Sequence, residues 1–338
     1  MAAKVVVRVH FMDNSVKAFA IDPNASAAQL RDLVIDRREL KESRCFFLFE
    51  KKDDWERCLE HEDKPVEIMK SWENITGGKS SKKGSDAKEP QFIFKKKIFL
   101  KDDDKEMDDP NAKNLVYIQA VHDVIHSVYT CSVPEAIKLA GLQLQITYGD
   151  HSPSIHCAGF LSKNTSTNLK NFVPKTLYPQ KKSSEWESLI LKEHAKLAGT
   201  KTPEEAKTDY LLIVKQWHLY GTTFFPPCRS LGNKTVPSKV IIGVNYEGIV
   251  LLKTKNKELV SEHLFTEICS WASSSGTFAF EFGNQTESQK YTFETKQGSI
   301  IASTIQVYID ILVQMLKNGD DDDDDDTDST SFSSDSRA

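Results

Sequence analysis

The chain has 338 residues, 39% hydrophobic and 28% charged. That is too long for one ordinary core and too apolar for a disordered chain, so two or three globular domains are expected. No stretch approaches the apolar length of a membrane span, and MAAKVVVRVHF enters an alternating pattern without a secretory core, so the sequence predicts a soluble, intracellular protein. The net charge of −5 hides an asymmetry: from Gly319 on there are nine aspartates and one arginine, a balance of −8, leaving +3 on residues 1–318. A like-charge run cannot pack, so 319–338 is expected to be an acidic, disordered tail. The cysteines (Cys45, Cys58, Cys131, Cys157, Cys228, Cys269) form no CxxC pair, which points to reduced thiols rather than disulfides or a zinc ribbon.

In chain order, KVVVRVHF and VKAFAID flank the polar MDNS, a hairpin signal. NASAAQLRDLVID then predicts a helix with apolar Ala27, Leu30 and Val34. CFFLFEKK predicts a strand, the residues after it a polar loop, and PVEIMKSWEN a short helical turn. A basic loop over 77–90 with Lys79, Lys82, Lys83 and Lys88 precedes a last strand, QFIFKKKIFL. The sum is a ubiquitin-like roll over residues 1–104.

From 108 to 222 the period is helical. Leu115, Ile118, Val121, Ile125 and Val128 predict one apolar face. Ser132 with Pro134, and Thr202 with Pro203, predict helix starts, the second helix running to Gly221. Residues 226–318 return to strands, including EICSWASSSGTFAFEFG, and close with a helix whose apolar stripe is Ile301, Ile305, Tyr308, Leu312 and Met315. This describes a sandwich of pleckstrin-homology or phosphotyrosine-binding type. The expected class is therefore α+β and multi-lobed.

Roll, helical bundle and sandwich in that order are the FERM arrangement. NLVYIQAVHDVI, AGFLSKNTSTNLKNFVPK, YGTTFF, WASSSGTFAFEFG and GSIIASTIQVYIDIL resemble, in order, the second and third lobes of the talin head. LFEKKDDWERCLEHEDKPVEIMKSWEN is similar to a Ras-association domain or a first FERM lobe of unconventional myosins, and nothing after residue 318 resembles talin's rod. The resemblance implies a ubiquitin-like or Ras-association-like lobe (1–104), an acyl-CoA-binding-protein-like helical lobe (108–222) and a PH/PTB-like lobe (226–318).

It also implies sites. An extended peptide, of the NPxY integrin-tail type in talin, would add to the segment holding Ser270, Trp271, Ser275, Gly276, Thr277, Phe278, Ala279, Phe280 and Glu281. The three phenylalanines Phe278, Phe280 and Phe282 are expected in the core, and the backbone of 275–281 is expected to be the open edge. Ser270 stands where talin has an arginine lining the peptide pocket, a charged donor worth about 1–3 kcal/mol. Thr235 replaces talin's hydrophobic loop residue.

Lys170, Lys175, Lys181, Lys182, Lys196, Arg229, Lys234 and Lys239 match or neighbour talin's lipid-facing surface, implying anionic phospholipids or phosphoinositides as partners. Lys17 and Arg37, with Arg31 and Arg38 as alternates, match the basic pair of talin's GTPase-binding subdomain and imply a Ras-family partner. The expected setting is the cytoplasmic face of the plasma membrane or cortex, and the acidic tail would compete with membrane for the lysines. No catalytic motif is present: there is no HExxH around His122 and His126, no phosphate loop, no nucleophile elbow and no dinucleotide fingerprint. A non-enzyme without metal, cofactor or nucleic-acid partner is expected.

Overall fold

The computed structural model describes residues 3–52, 55–76, 90–100, 105–163, 168–232, 235–284 and 287–320. The chain divides into two compact units, Met1–Gly221 and Thr222–Ala338.

The first unit begins with strands β1 (Val5–His10) and β2 (Val16–Ile21), helix α1 (Ala27–Arg38), strands β3 (Phe46–Lys52) and β4 (Trp55–Cys58), helix α2 (Pro65–Thr76) and strand β5 (Gln91–Lys96). The sheet order is β2-β1-β5-β3-β4, with β1 and β5 parallel. Ser26 starts α1 through a reciprocal capping box with Gln29, and Leu30 and Val34 are buried with Val7, Val9, Phe46, Phe92 and Phe94. Two expectations are corrected here. The polar loop after β3 contains β4, paired with β3 from Phe49↔Cys58 to Lys52↔Trp55, and the short turn is the full helix α2. Arg57 on β4 holds Glu50 at 2.9 Å and Asp63 at 2.7 Å, and Glu50 accepts the Trp72 indole N–H at 2.7 Å, so charge pairing rather than apolar alternation fixes this corner.

The same unit continues with the single turn α3 (Lys105–Asp108) and helices α4 (Pro110–Ile125), α5 (Val133–Tyr148), α6 (Ser183–Ala195) and α7 (Pro203–Lys215). Ser132 with Glu135 and Thr202 with Glu205 form capping boxes at the expected starts. Helix α7 stops at Lys215, not Gly221. Helix α4 does not bury one stripe: Leu115 and Ile125 are buried, Ile118, Val121 and Val128 are half-exposed, and Val116, Tyr117, Gln119 and Ala120 are buried as well. The reason is that α4 packs on both α7 and β5. Its Gln119 side chain accepts from Lys96 N–H (2.8 Å) and donates to Lys96 C=O (3.1 Å).

The second unit contains β6 (Thr223–Phe224), β7 (Cys228–Leu231), β8 (Lys239–Val244), β9 (Gly248–Lys253), β10 (Leu259–Leu264), β11 (Ile268–Ser273), β12 (Thr277–Gly283), β13 (Ser288–Glu294) and α8 (Gly298–Asp320). The order is β10-β9-β8-β7-β13-β12-β11, with β6 on β8. Helix α8 packs against β11, β12 and β8. By length and mean hydropathy (1.6 over Gly298–Lys317) it is apolar enough to cross a membrane, contrary to the expectation that no segment is. Ile301, Ile305 and Tyr308 are nevertheless fully buried in the unit's core. The expected stripe stops there: Leu312 is half-exposed and Met315 is 50% exposed, beside exposed Val313 and Leu316. The helix runs through Asp320, and the remaining tail, 321–338, lies outside the described residues.

Candidate functional site

The edge of the second unit's sheet falls one strand earlier than the sequence suggested. Strand β12 is hydrogen-bonded on both sides, to β11 from Ile268↔Phe282 to Ser273↔Phe278 and to β13 from Thr277↔Glu294 to Gly283↔Ser288. In the preceding turn Gly276 C=O accepts from Thr295 N–H and Thr277 C=O from Ser274 N–H, both at 2.9 Å. The backbone of 276–281 is therefore committed. Among the described residues, the strand open on one side here is β11.

Ladder geometry assigns the open groups. Ser274 N–H points at β12, and inward-facing residues alternate in an antiparallel pair, so Ala272 and Ser270 face β12 while Trp271 and Ser273 turn N–H and C=O outward. A register shift between Ile268 and Ser270 leaves Cys269 unpaired in the ladder, a bulge that bends the start of the edge. Trp271 lies opposite Phe280 on the core face and is half-buried, whereas Ser270, Ala272 and Ser273 are exposed. Phe278 and Phe280 are core residues and Phe282 is half-buried, its ring 4.0 Å from His263.

The start of α8 closes over this edge. A Cβ on Gly298 would stand 2.5 Å from Thr277 C=O and 3.3 Å from Ser273 Cβ, so only glycine lets the helix begin this close to the β11–β12 turn. Open backbone, a half-buried indole and a flanking helix thus share one margin.

The expected basic residues separate into groups. Arg229 and Lys239 are cross-strand partners on β7 and β8, and Arg229 also faces Glu294 on β13 at 3.7 Å. Like charges directly opposite are unfavourable in a sheet, and Glu294 offsets that here. Lys234 lies outside the described residues, as does the basic loop apart from Pro90. In the helical part Lys170 is 5.9 Å from the Tyr178 ring, Lys181 pairs with Glu185 at 2.6 Å, and Lys182 stands at the N-cap position of α6 without a side-chain cap bond. Lys175 is exposed, its backbone N–H on Ile125 C=O. Lys196 stands apart: it sits at the other end of α6, about 20 Å away along thirteen residues, exposed, with its ammonium 2.6 Å from Glu193.

On the first sheet β2 is an edge, with Lys17 exposed and paired with Val9, and Arg37 is exposed in the last turn of α1. The alternates are otherwise employed. Arg31 donates from Nε to Phe46 C=O at 2.7 Å and from its terminal nitrogen to Ser43 C=O at 2.8 Å, tying α1 to β3. Arg38 lies 3.8 Å over the Phe11 ring. His122 and His126 stack at 4.0 Å, but His122 Nδ1 bonds Asp123 and His126 Nδ1 bonds His122 C=O.

Sequence reasoning missed the buried acids Glu50, Asp109 and Glu187, the last of which shapes the helical part. Glu187 on α6 accepts from the N–H groups of Gly159, Leu161 and Ser162 and from Ser162 Oγ, at 2.6–3.2 Å. It organises the long α5–α6 connection that carries the lysines. Its signal was present, an acid on the face shared with Leu191 and His194.

A five-stranded roll, a helical bundle, and a strand sandwich closed by a C-terminal helix define the class. Residues 3–98 match the RA like domain, 102–225 the FERM central domain and 224–313 the PTB domain of IRS-1 type. The fold is likewise that of the human Myosin 7b C-terminal MyTH4-FERM domain, with a TM-score of 0.70 at 23% identity over 92% of this chain and 61% of that one. The chain belongs to the FERM family.

Within that family it is similar to talins along nearly its whole length. It is 26% identical to the talin of Oscarella pearsei over 97% of this chain, and 32% identical to Talin-1 of Gallus gallus over 68% of this chain. The chain spans 13% and 8% of those two proteins.

Proposed function

We propose that the chain is a non-catalytic adaptor of talin-head type at the cytoplasmic face of the cell cortex, taking an extended receptor-tail peptide on β11 while basic residues hold it to anionic, phosphoinositide-bearing membrane. The observation that carries this reading is the open β11 margin between Trp271 and the start of α8 in a PTB-type lobe. Main-chain pairing would supply affinity there, and the half-buried Trp271 beside the start of α8 would meet alternate side chains of the guest. The test uses the full chain with a peptide carrying NPxY. Amide exchange at Trp271 and Ser273 is expected to slow at least tenfold on binding. Ser273→Pro removes an outward N–H on an edge strand, where proline is tolerated, and is expected to weaken binding about tenfold, one net hydrogen bond. Unchanged exchange over 268–273 at saturating peptide would dispose of the reading.

A second reading has its own observation: β2 is an edge strand with Lys17 exposed, the arrangement by which an RA-like lobe would pair with a strand of a small GTPase. One experiment separates the two. Each Lys or Arg near an anionic leaflet contributes about 1 kcal/mol, so Arg229→Ser with Lys239→Ser is expected to weaken sedimentation with phosphoinositide liposomes about thirtyfold. If cortical recruitment instead survives that change and is lost with Lys17→Glu and Arg37→Glu, the GTPase reading replaces the first.

A further inference from the structure

Three histidines meet where the α5–α6 connection begins. His151, His156 and His194 have ring centroids 5.3, 5.3 and 5.0 Å apart, in the order 151–156, 151–194 and 156–194. His194 on α6 is fully buried, His156 nearly so, and His151 half-exposed. Their hydrogen bonds fix the protonation state. His194 Nε2 lies 2.8 Å from Gly149 C=O, which can only accept, so Nε2 carries the proton, and the buried Nδ1 has no partner. His156 Nδ1 accepts the Ser152 backbone N–H at 2.9 Å, so that nitrogen is bare.

Each buried ring therefore relies on an unprotonated nitrogen. A proton on His156 Nδ1 sets donor against donor at Ser152, and a proton on His194 Nδ1 buries a charged N–H without an acceptor. The first charge on the trio also repels the next, at roughly 5 Å between rings in a medium drier than water.

We propose that His151, His156 and His194 form an acid-sensitive latch that fastens residues 149–161 to the end of α6 and releases them on mild acidification. The surrounding charges do not quench it. Asp150 is engaged by Gln145 Nε2 at 2.8 Å, Glu187 by its four donors, Glu193 by Lys196 and Lys201 by Asp209, while Lys192 lines the same cavity of about 340 Å³ as His151. Tyr148 and Phe160 add only ring contacts to His156.

Burial, and then the neighbouring imidazoles, hold His156 and His194 below the ordinary histidine value, with the Gly149 bond and Asp150 opposing this at His194. With the folded-state value below the unfolded one, the unfolded segment binds more protons in acid. The latch is thus fully closed above about pH 6.5 and weakens as pH falls through the folded-state values. The segment it holds leads directly to Lys170, Lys175 and Lys181, so release would loosen the part of the lobe that presents them. This inference does not rest on the peptide reading.

The test is amide exchange of the full chain at pH 7.4 and pH 5.8, corrected for the intrinsic pH dependence of exchange. Residues 149–163 and the last turns of α6 are expected to lose protection at least tenfold at pH 5.8, while α7 and β8–β9 hold theirs. The local readout is needed because His10, His126 and His263 are also held low by burial and would move a global melting curve. In the triple variant His151→Gln, His156→Asn, His194→Gln, the amides replace the acceptor and donor without titrating, and the pH response should vanish with the pH 7.4 pattern kept. If that variant does not fold, His156→Asn alone, which keeps an acceptor toward the Ser152 N–H, should shrink the response. Equal wild-type protection at both pH values, or an undiminished response in the variant that folds, would overturn the latch.

Discussion

Glu187→Ala is expected to destabilise the first unit by about 3 kcal/mol, because it takes the acceptor from the buried Leu161 N–H, at roughly 1–3 kcal/mol, and from the Gly159 and Ser162 N–H groups, which lie nearer water and cost less. The carboxylate is 3% exposed and accepts from Gly159, Leu161 and Ser162 along one stretch of connecting chain. A loss of that size is a large share of the 5–15 kcal/mol by which a domain is typically stable. Glu187→Gln keeps the shape and one acceptor oxygen, so about half the loss is expected. Urea unfolding read by the fluorescence of Trp186, one residue away and fully buried, measures both.

The pH dependence of this contact has a definite sign. Burial pushes the Glu187 carboxyl up, and its hydrogen bonds to Gly159, Leu161 and Ser162 more than offset that, so the folded-state value lies below the unfolded one. Its contribution is therefore present above the ordinary glutamate value and lost as pH falls through the folded one. The gap between wild type and Glu187→Gln should narrow in strong acid. A constant gap down to pH 2 would mean that the amide fails for steric reasons rather than for want of an acceptor.

What could be read in advance divides by the range of the interaction. Ser26, Ser132 and Thr202 each sit three residues before the Gln or Glu that caps them in return, so these helix starts are local facts of the sequence. Strand β4 escaped because Trp55–Cys58 is half-buried throughout, and its position is set by Arg57 reaching Glu50 and Asp63. The displaced peptide edge has the same origin. Phe278 and Phe280 alternate identically whether their strand is an edge or an inner one, and strand order is decided by pairings far apart in the chain, such as Glu294↔Arg229. Arg31 and Lys196 matched their expected positions as residue types, yet each is held by neighbours within its own unit. A basic residue's availability is a property of its partners, which spacing does not show. Lys17, Arg37, Lys175 and Lys239 are exposed expected cations, whereas Arg229 faces Glu294 at 3.7 Å.

The second large effect is expected at Asp109, where one side chain serves two elements. Its Oδ1 accepts from Asn111 N–H at 3.0 Å and so caps α4, ahead of Pro110. Its Oδ2 accepts from Lys41 N–H at 2.7 Å and Glu42 N–H at 3.0 Å, in the chain that leaves α1. Capping alone costs about 1 kcal/mol when lost. The two further amides add roughly 1–3 kcal/mol each if they stay unpaired and less if water reaches them, so Asp109→Ala is expected to cost about 3 kcal/mol. Asp109→Asn retains one oxygen and can serve the cap or the 41–42 amides but not both, which predicts an intermediate loss. Amide exchange distinguishes the two halves of the site: Lys41 and Glu42 should lose protection together with Asn111 in Asp109→Ala, whereas in Asp109→Asn one side should keep it. Protection lost at Asn111 alone in Asp109→Ala would reduce Asp109 to an ordinary helix cap. The joint loss would make it a tie between the roll and the helical bundle, beside the polar links of Gln119 to Lys96 and of Asn111 Nδ2 to Glu39 C=O.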